Sequence, residues 1–164
     1  MADVKSGTNP LFLREEELRQ CIELLFFAYR DFTDGPDQLL RDYNFGRAHH
    51  RVIHFVGRNP GITVSELLDI LRITKQSLSR VLNALVDRGF VEQKPGISDR
   101  RQRLLYLTEE GKVLERKISI IQQEKVAKAF KEAGGDAVAG YRKVLEGLIT
   151  DTDRETALKR VMKK

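Results

Sequence analysis

The sequence predicts a mainly α-helical fold of the α+β class, and three features of its hydrophobic pattern support that prediction. Apolar residues recur at three- and four-residue spacing through Leu11–Thr33 and again after Thr108, as they do on the packed face of a helix. Between these regions, two shorter helical stretches precede two short runs with the character of strands. We therefore expect helices at both ends of the 164-residue chain to flank a small mixed domain.

The N-terminal third is predicted to hold a loose arm followed by two helices. Residues 1–10 are small and polar, so we expect a flexible arm. The helix over 11–33 has more apolar residues than one packed face requires, which indicates a second neighbour such as another subunit. Asp34-Gly35-Pro36 is expected to end this helix, and a second helix is expected over Asp37–Arg58, closed by Asn59-Pro60-Gly61.

The middle of the chain carries the strongest helix-start signals. Thr63 with Glu66 three residues later forms a capping box, which opens a short helix over 64–71. After a tight connection, Thr74 is a good N-cap for a second helix over 74–88. Four apolar residues of this helix are predicted to face the core: Leu78, Val81, Leu82 and Leu85. The side chains that project on the opposite side are Lys75, Gln76, Ser79, Arg80 and Asn83.

A hairpin and further helices complete the predicted fold. The strands are Phe90–Lys94 and Arg103–Leu107, and residues 95–103 are called the wing below. Two short helices at a tight turn followed by a hairpin form a winged helix-turn-helix core with a two-stranded wing. Thr108 is expected to cap a long helix that Gly134-Gly135 ends, and an amphipathic helix follows over 138–149. Thr152 with Glu155 is expected to cap a short terminal helix.

The positive charge of the chain is concentrated in this middle region. The net charge is +5, and the window from Arg72 to Arg103 holds eight basic and three acidic residues, which accounts for all of it. The remaining 21 basic and 21 acidic residues cancel. A basic window of this kind is typical of a surface that binds a polyanion such as DNA.

The exposed residues of the second short helix have the chemistry of base recognition. Gln76 and Asn83 suit adenine and Arg80 suits guanine, while serines and Lys75 reach phosphates or base edges. Arginines at the tip of the wing suit a narrow minor groove. The DNA-binding residues predicted in this way are Thr74, Lys75, Gln76, Ser77, Ser79, Arg80, Asn83, Asp99, Arg100, Arg101 and Arg103.

Three other interpretations of the same residues remain open at this stage. The two short helices also suit a generic helical bundle, and the arginines of the wing suit a solvated turn with local ion pairs. A winged-helix domain can also act as a protein–protein adaptor, although the polar, cationic helix 74–88 argues against an apolar partner. We do not expect an enzyme, because the serines and histidines lack the spacing of a catalytic set.

The run from Thr63 to Gly111 resembles the winged-helix core of the MarR family of bacterial regulators. Asp99 and Arg101, followed by a strand that ends in Leu107-Thr108-Glu109-Glu110-Gly111, match the family's D-x-R and L-T-x-x-G wing signature. The flanking helices agree over about residues 11–150. The resemblance implies a triangular homodimer with intertwined first and last helices, in which Asp99 orients the wing and Arg101 enters the minor groove.

Together these features predict a cytoplasmic, sequence-specific regulator that binds palindromic double-stranded DNA as a homodimer. We expect a repressor that a small ligand or an oxidant releases, with no cofactor and no membrane partner. Helix 74–88 is predicted to enter the major groove and the wing to enter the minor groove. The predicted division of the chain is a flexible arm (1–10), an N-terminal dimerisation helix (11–36), the DNA-binding domain (37–110) and C-terminal dimerisation helices (111–164).

Few residues point to a sensor. Cys21 lies broadly where peroxide-sensing members of the family carry a thiol. It sits on the apolar face of its helix, with Glu17 and Glu23 nearby rather than a cluster of cations that would lower a thiol pKa, so we expect a buried structural cysteine. A candidate effector pocket comprises Tyr29, Phe45, His49 and His50. His50 and His54, spaced i, i+4, are weak candidates for a metal, because no third ligand is evident unless folding brings Cys21 or Asp42 close. His49 also fits a core position, and we expect no metal.

Overall fold

The computed structural model of the protein describes residues 10–163, so residues 1–9 of the predicted arm lie outside the described part. The described residues form two compact units, divided after Gln122. After a 3-10 turn at Leu11–Leu13, the first unit contains the following elements: α1 (Glu15–Arg41), α2 (Arg47–Arg58), β1 (Ile62–Thr63), α3 (Val64–Leu71), α4 (Lys75–Asp87), β2 (Val91–Pro95), β3 (Arg103–Leu107) and the start of α5 (Glu109–Ala133). The second unit contains the end of α5, then α6 (Gly135–Leu148) and α7 (Asp151–Val161).

The sheet is three-stranded and antiparallel, in the order β1-β3-β2. Val91 pairs with Leu107 and Pro95 with Arg103, so β2 and β3 form the hairpin that carries the wing. Ile62 of β1 pairs with Leu105 on the other edge of β3. A two-residue strand has too little pattern to predict from sequence, and β1 was not expected.

One hydrophobic core holds the first unit together. Its buried members come from every element of the winged helix-turn-helix and from α1 and α5, and the fully buried ones include Leu40, Ile53, Leu67, Leu105 and Leu114. Burying a leucine or isoleucine side chain contributes about 1.5–3 kcal/mol each. The core therefore fixes α3, α4 and the hairpin relative to one another, which confirms the predicted fold class.

The predicted break at Asp34-Gly35-Pro36 is wrong, because α1 continues to Arg41. Pro36 lacks an N–H and cannot complete the helical hydrogen bond at that point, yet its ring is buried. At Gly35, an added Cβ would lie 2.7 Å from a methyl of Ile121 on α5, so the helices approach closely here. Tertiary packing at this crossing overrides the local signal, and the second helix begins at Arg47 rather than Asp37.

Other boundaries differ from the predictions by smaller amounts. The first helix begins at Glu15 after the short 3-10 turn, and β2 lies one residue later than expected. The terminal helix begins at Asp151, and the Thr150 hydroxyl, rather than Thr152, lies at its start and donates to Asp153 (2.7 Å). The predicted domain limits at 36/37 and 110/111 fall inside α1 and α5, and that division stays a prediction.

Much of the apolar surface of α1 is uncovered in the single chain. Its exposed apolar side chains, each at least 45% accessible, are Leu18, Ile22, Leu24, Leu25, Phe26, Phe27 and Tyr29. Cys21 is exposed as well, so the expectation of a buried cysteine is wrong for the single chain. Among the described residues, no helix combines the length and apolarity needed to cross a membrane.

The second unit contains a guanidinium that caps the end of α6. Arg154 on α7 donates from Nε to the Glu146 carbonyl (3.0 Å) and from Nη2 to the Gly147 (3.2 Å) and Ile149 (3.0 Å) carbonyls. Its Nη1 also lies 3.0 Å from Asp151. These bonds satisfy carbonyls that the helix end leaves open, so Arg154 fixes the corner between α6 and α7.

Candidate nucleic-acid interface

Local capping sets the positions of α3 and α4. The Thr63 hydroxyl accepts from the Glu66 N–H (3.2 Å) while Glu66 Oε2 accepts from the Thr63 N–H (2.9 Å), which is the predicted capping box. Arg72 ends α3 in the left-handed region at φ 50°. The Thr74 hydroxyl then accepts from the Ser77 N–H (3.1 Å) at the start of α4. The tight turn between the helices therefore has a defined stop and a defined start.

The two sides of α4 differ as the sequence predicted. Leu78, Val81, Leu82 and Leu85 are buried in the core. The exposed side, called the α4 face below, consists of Lys75, Gln76, Ser77, Ser79, Arg80 and Asn83. The Thr74 hydroxyl donates to Ser77 Oγ (2.8 Å), so these two hydroxyls are occupied in capping the helix. The groups of the α4 face that take no part in this cap, and so remain as exposed donors for a partner, belong to Lys75, Gln76, Ser79, Arg80 and Asn83.

Hydrogen bonds shape the wing. The Gly96 N–H donates to the Gln102 carbonyl (3.0 Å), and the Gln102 N–H donates to the Asp99 carbonyl (3.1 Å). The Asp99 carboxylate accepts from the Arg101 N–H (2.9 Å). Asp99 thereby closes the turn that carries Arg100 and Arg101, both exposed.

Hydrogen bonds between the start of α5 and the Gly89-Phe90 segment before β2 give the L-T-x-x-G motif a structural role. The Thr108 hydroxyl accepts from the Gly111 N–H (3.0 Å) and donates to the Gly89 carbonyl (2.6 Å), which ties α5 to the end of α4. The Thr108 N–H donates to the Phe90 carbonyl (3.1 Å). A Cβ at residue 111 would lie closer than 3.0 Å to that carbonyl oxygen, so only glycine fits there.

The cations of the interface are available to an outside anion. Within residues 10–163, none of Lys75, Arg80, Arg100, Arg101 and Arg103 forms a salt bridge with a carboxylate. Unpaired, exposed cations beside the exposed amides of the α4 face form a surface suited to phosphate and base edges. The roles of the individual residues in DNA binding stay predictions.

The candidate effector residues have two different sets of neighbours. Phe45 stacks on His49 with ring centroids 4.6 Å apart, whereas Tyr29 accepts a hydrogen bond from Arg51 (3.2 Å). A cleft of about 370 Å³ lies at the start of α5. None of the four predicted effector residues, Tyr29, Phe45, His49 and His50, lines it. Its lining is Tyr43, Phe90, Glu109, Glu110, Val113 and Leu114.

Sequence reasoning missed the contribution of Arg88. Its guanidinium donates to the Tyr43 carbonyl and lies 4.4 Å from the Phe45 ring centroid and 5.8 Å from that of Phe90. Arg88 therefore holds the loop between α1 and α2 against the start of β2. Because its partner Tyr43 lies 45 residues away, no local signal in the sequence marks this contact.

The three histidines of α2 are partly buried. Burial lowers the pKa of His49, His50 and His54 below the ordinary value, and the charge of Arg88 lowers that of His49 further. His49 Nδ1 accepts from the Gly46 N–H (3.1 Å), which caps α2. Within the part of the chain that the structure describes, no three histidine, cysteine or acidic residues are arranged to hold a metal.

Comparison with known proteins identifies the family. A sequence model of the MarR family matches residues 43–102. The HTH-type transcriptional regulator PetP of Rhodobacter capsulatus is 51% identical over 151 residues, which cover 91% of each chain.

Solved structures agree in fold. Streptococcus pneumoniae FabT in complex with DNA superposes with a TM-score of 0.71 at 22% identity, over 80% of this chain and 94% of that one. A MarR mutant from E. coli complexed with operator DNA gives a TM-score of 0.64 at 23% identity, over 87% of this chain and 100% of that one. From the extent and identity of the match to PetP, together with the family model, the chain belongs to the MarR family.

Proposed function

We propose that the protein is a homodimeric transcriptional regulator that binds double-stranded DNA in a sequence-specific manner. The observation that supports this best is the α4 face. Its exposed amides and guanidinium stand on a helix whose other side is anchored by four buried apolar residues. A rigid helix of this kind fits the major groove, which is about 12 Å wide.

The wing extends the same interface. Exposed Arg100 and Arg101 follow a carboxylate that fixes the turn, and arginine is favoured in narrow minor grooves because their negative potential is enhanced. The relatives support this assignment by their names, since PetP is an HTH-type transcriptional regulator and the FabT and MarR structures contain DNA.

The proposed dimer covers the exposed apolar surface of α1. Phe26 and Phe27 are 64% and 46% exposed in the single chain, and clustered exposed apolar side chains of this kind mark an interaction site. Two-fold pairing places two copies of α4 on half-sites about 34–36 Å apart, which is one turn of DNA. The regulator therefore reads a palindrome.

We further propose that the protein acts as a repressor that an effector releases. The two winged domains of the dimer can stand at different distances from each other. An effector that binds the dimer more tightly at one of these distances shifts the population toward that conformation. A coupling free energy of about 1–3 kcal/mol changes DNA affinity by roughly 5- to 150-fold. In this proposal the protein is cytoplasmic, has no catalytic activity, and needs no metal or cofactor for DNA binding.

The experiment is a selection of bound duplexes from a random-sequence pool, followed by affinity measurements on the selected site. Arg80→Ala and Asn83→Ala are each expected to cost about 1–3 kcal/mol and to relax preference at single positions. Arg116→Ala, which removes an exposed cation from α5, is the matched control and is expected to bind as the wild type does. Wild-type specificity in both α4 variants would contradict the proposed facing of the helix.

Salt dependence separates this function from a protein–protein adaptor. A dimer that neutralises six to ten phosphates loses roughly 10³–10⁵ in affinity between 50 and 200 mM salt, whereas an apolar partner is nearly indifferent. Within the described chain, α4 presents no exposed large hydrophobic side chain for such a partner, so the adaptor is the weaker hypothesis.

A further inference from the structure

One large hydrophobic side chain stands alone on the surface of the winged domain. Ile97, at the tip of the wing, is 100% exposed. Among the described residues, every other exposed large hydrophobic side chain lies within 11–29 or 113–162. Single exposed apolar residues are common on protein surfaces, so exposure alone does not mark Ile97 as a binding residue. The backbone and the charged residues around Ile97 do.

The backbone of the wing holds Ile97 outward. The bonds from the Gly96 N–H to Gln102 and from the Gln102 N–H to Asp99 close the loop on both sides of it. A Cβ on Gly96 would collide with the Asp99 backbone, so the chain turns tightly immediately before Ile97. A side chain held by a closed loop loses less conformational freedom on binding than one on a flexible loop.

The immediate neighbours of Ile97 determine which kind of partner it meets. Arg100 and Arg101 are exposed three and four residues later and make no salt bridge within residues 10–163. An apolar tip beside two free cations suits a surface that is anionic outside and apolar inside. The minor groove has this character, because phosphates line its rims while sugars and base edges form its walls, and proteins there insert apolar wedges between base steps.

We propose that Ile97 enters the minor groove beside Arg101 and rests against a base step next to the narrow segment that Arg101 occupies, which favours an easily unstacked step such as TA over AA at that position. This inference depends on the proposed DNA-binding function and adds a specificity-determining residue to it. Pyrimidine–purine steps are the easiest to deform, so Ile97 would select sequence at a position where no hydrogen bond reads the bases.

The test compares Ile97→Ala, the conservative Ile97→Leu, and Arg101→Ala on two duplexes. Both duplexes carry the selected operator, and they differ only in a TA or an AA step where the wing lies. The readouts are affinity, the slope of log affinity against log salt, and Tm.

We expect Ile97→Ala to lose about tenfold in affinity on the TA duplex, to lose the preference for TA over AA, and to keep the wild-type salt slope, because no charge is removed. Ile97→Leu is expected to retain the preference. Arg101→Ala is expected to reduce the salt slope by about two units, one for each protomer of the dimer. Because Ile97 is already fully exposed in the folded chain, its variants are expected to keep the wild-type Tm.

If Ile97→Ala binds both duplexes as the wild type does while Arg101→Ala is weakened, the role of Ile97 is overturned and the proposed function stands. The role of Ile97 is also overturned if Ile97→Ala weakens binding equally on both duplexes. If the wild type binds no duplex, both proposals fail.

Discussion

The close contact between the start of α5 and Gly89-Phe90, which precede β2, gives the sharpest stability prediction, through the substitution Gly111→Ala. Gly111 is buried in the first turn of α5, and an added Cβ would come closer than 3.0 Å to the Phe90 carbonyl oxygen and to 3.3 Å from the Leu107 Cβ. Rotation of a side chain cannot relieve this collision, because the obstacle is backbone. The start of α5 must therefore move away from Phe90.

The magnitude follows from what that movement breaks. It lengthens the bonds from the Thr108 N–H to Phe90 and from the Thr108 hydroxyl to Gly89, each worth about 1 kcal/mol. Overpacking strain adds about 1–3 kcal/mol, and the better helix propensity of alanine returns about 1 kcal/mol. The net loss is on the order of 3 kcal/mol, which lowers Tm by roughly 6–12 °C for a chain of this size.

The assay is thermal unfolding followed by circular dichroism at one fixed protomer concentration, because the stability of a dimer depends on concentration. Gly140→Ala is the matched control. It makes the same change inside a helix, but the added Cβ meets nothing within 4 Å, so we expect an unchanged or higher Tm. A Gly111→Ala protein that unfolds at the wild-type temperature would refute the close contact with Phe90.

Three further predictions concern the rest of the chain. Arg154→Lys removes the fork that bonds three carbonyls at the end of α6 and is expected to cost about 1–3 kcal/mol in denaturant unfolding, whereas Arg116→Lys is expected to be silent. Burial lowers the folded-state pKa of His50 and His54. As the pH falls, these histidines are therefore protonated at a higher pH in the unfolded chain than in the folded one. Stability should therefore be full above about pH 7 and decline as the pH falls through about 6.5, and His54→Gln should reduce that decline; an equal decline would contradict the burial. Phe26→Asp places a charge on the exposed face of α1 and should yield monomers by light scattering; an intact dimer would place the interface elsewhere.

Elements with local signals were predicted well. The capping box at Thr63 and the N-cap at Thr74 fix α3 and α4 within a residue, because each helix start is decided by a side chain three residues from its partner. The hairpin was also found within one residue. The separation of the α4 face from its buried side follows from the helical period alone.

Elements decided by distant contacts were not predicted. α1 continues through Pro36, whose ring is buried, and the neighbouring Gly35 lies close to Ile121 of α5; no local pattern in the sequence records these tertiary contacts. β1 exists only through its pairing with β3. Cys21 was expected to be buried because it lies among apolar residues, but in the single chain that face of α1 has no cover. In each case the missing information is the identity of the neighbour.

The central claim is that two copies of α4, fixed in one dimer, occupy successive turns of one DNA duplex. The most direct measurement is the affinity of the purified protein for its selected operator with the half-sites at their natural spacing and with about five base pairs, half a helical turn, inserted between them. We predict one dimer per natural duplex and at least about a tenfold loss on the inserted duplex, since only one half-site can then be engaged. Equal affinity for both duplexes, or binding by a monomer, would contradict the account.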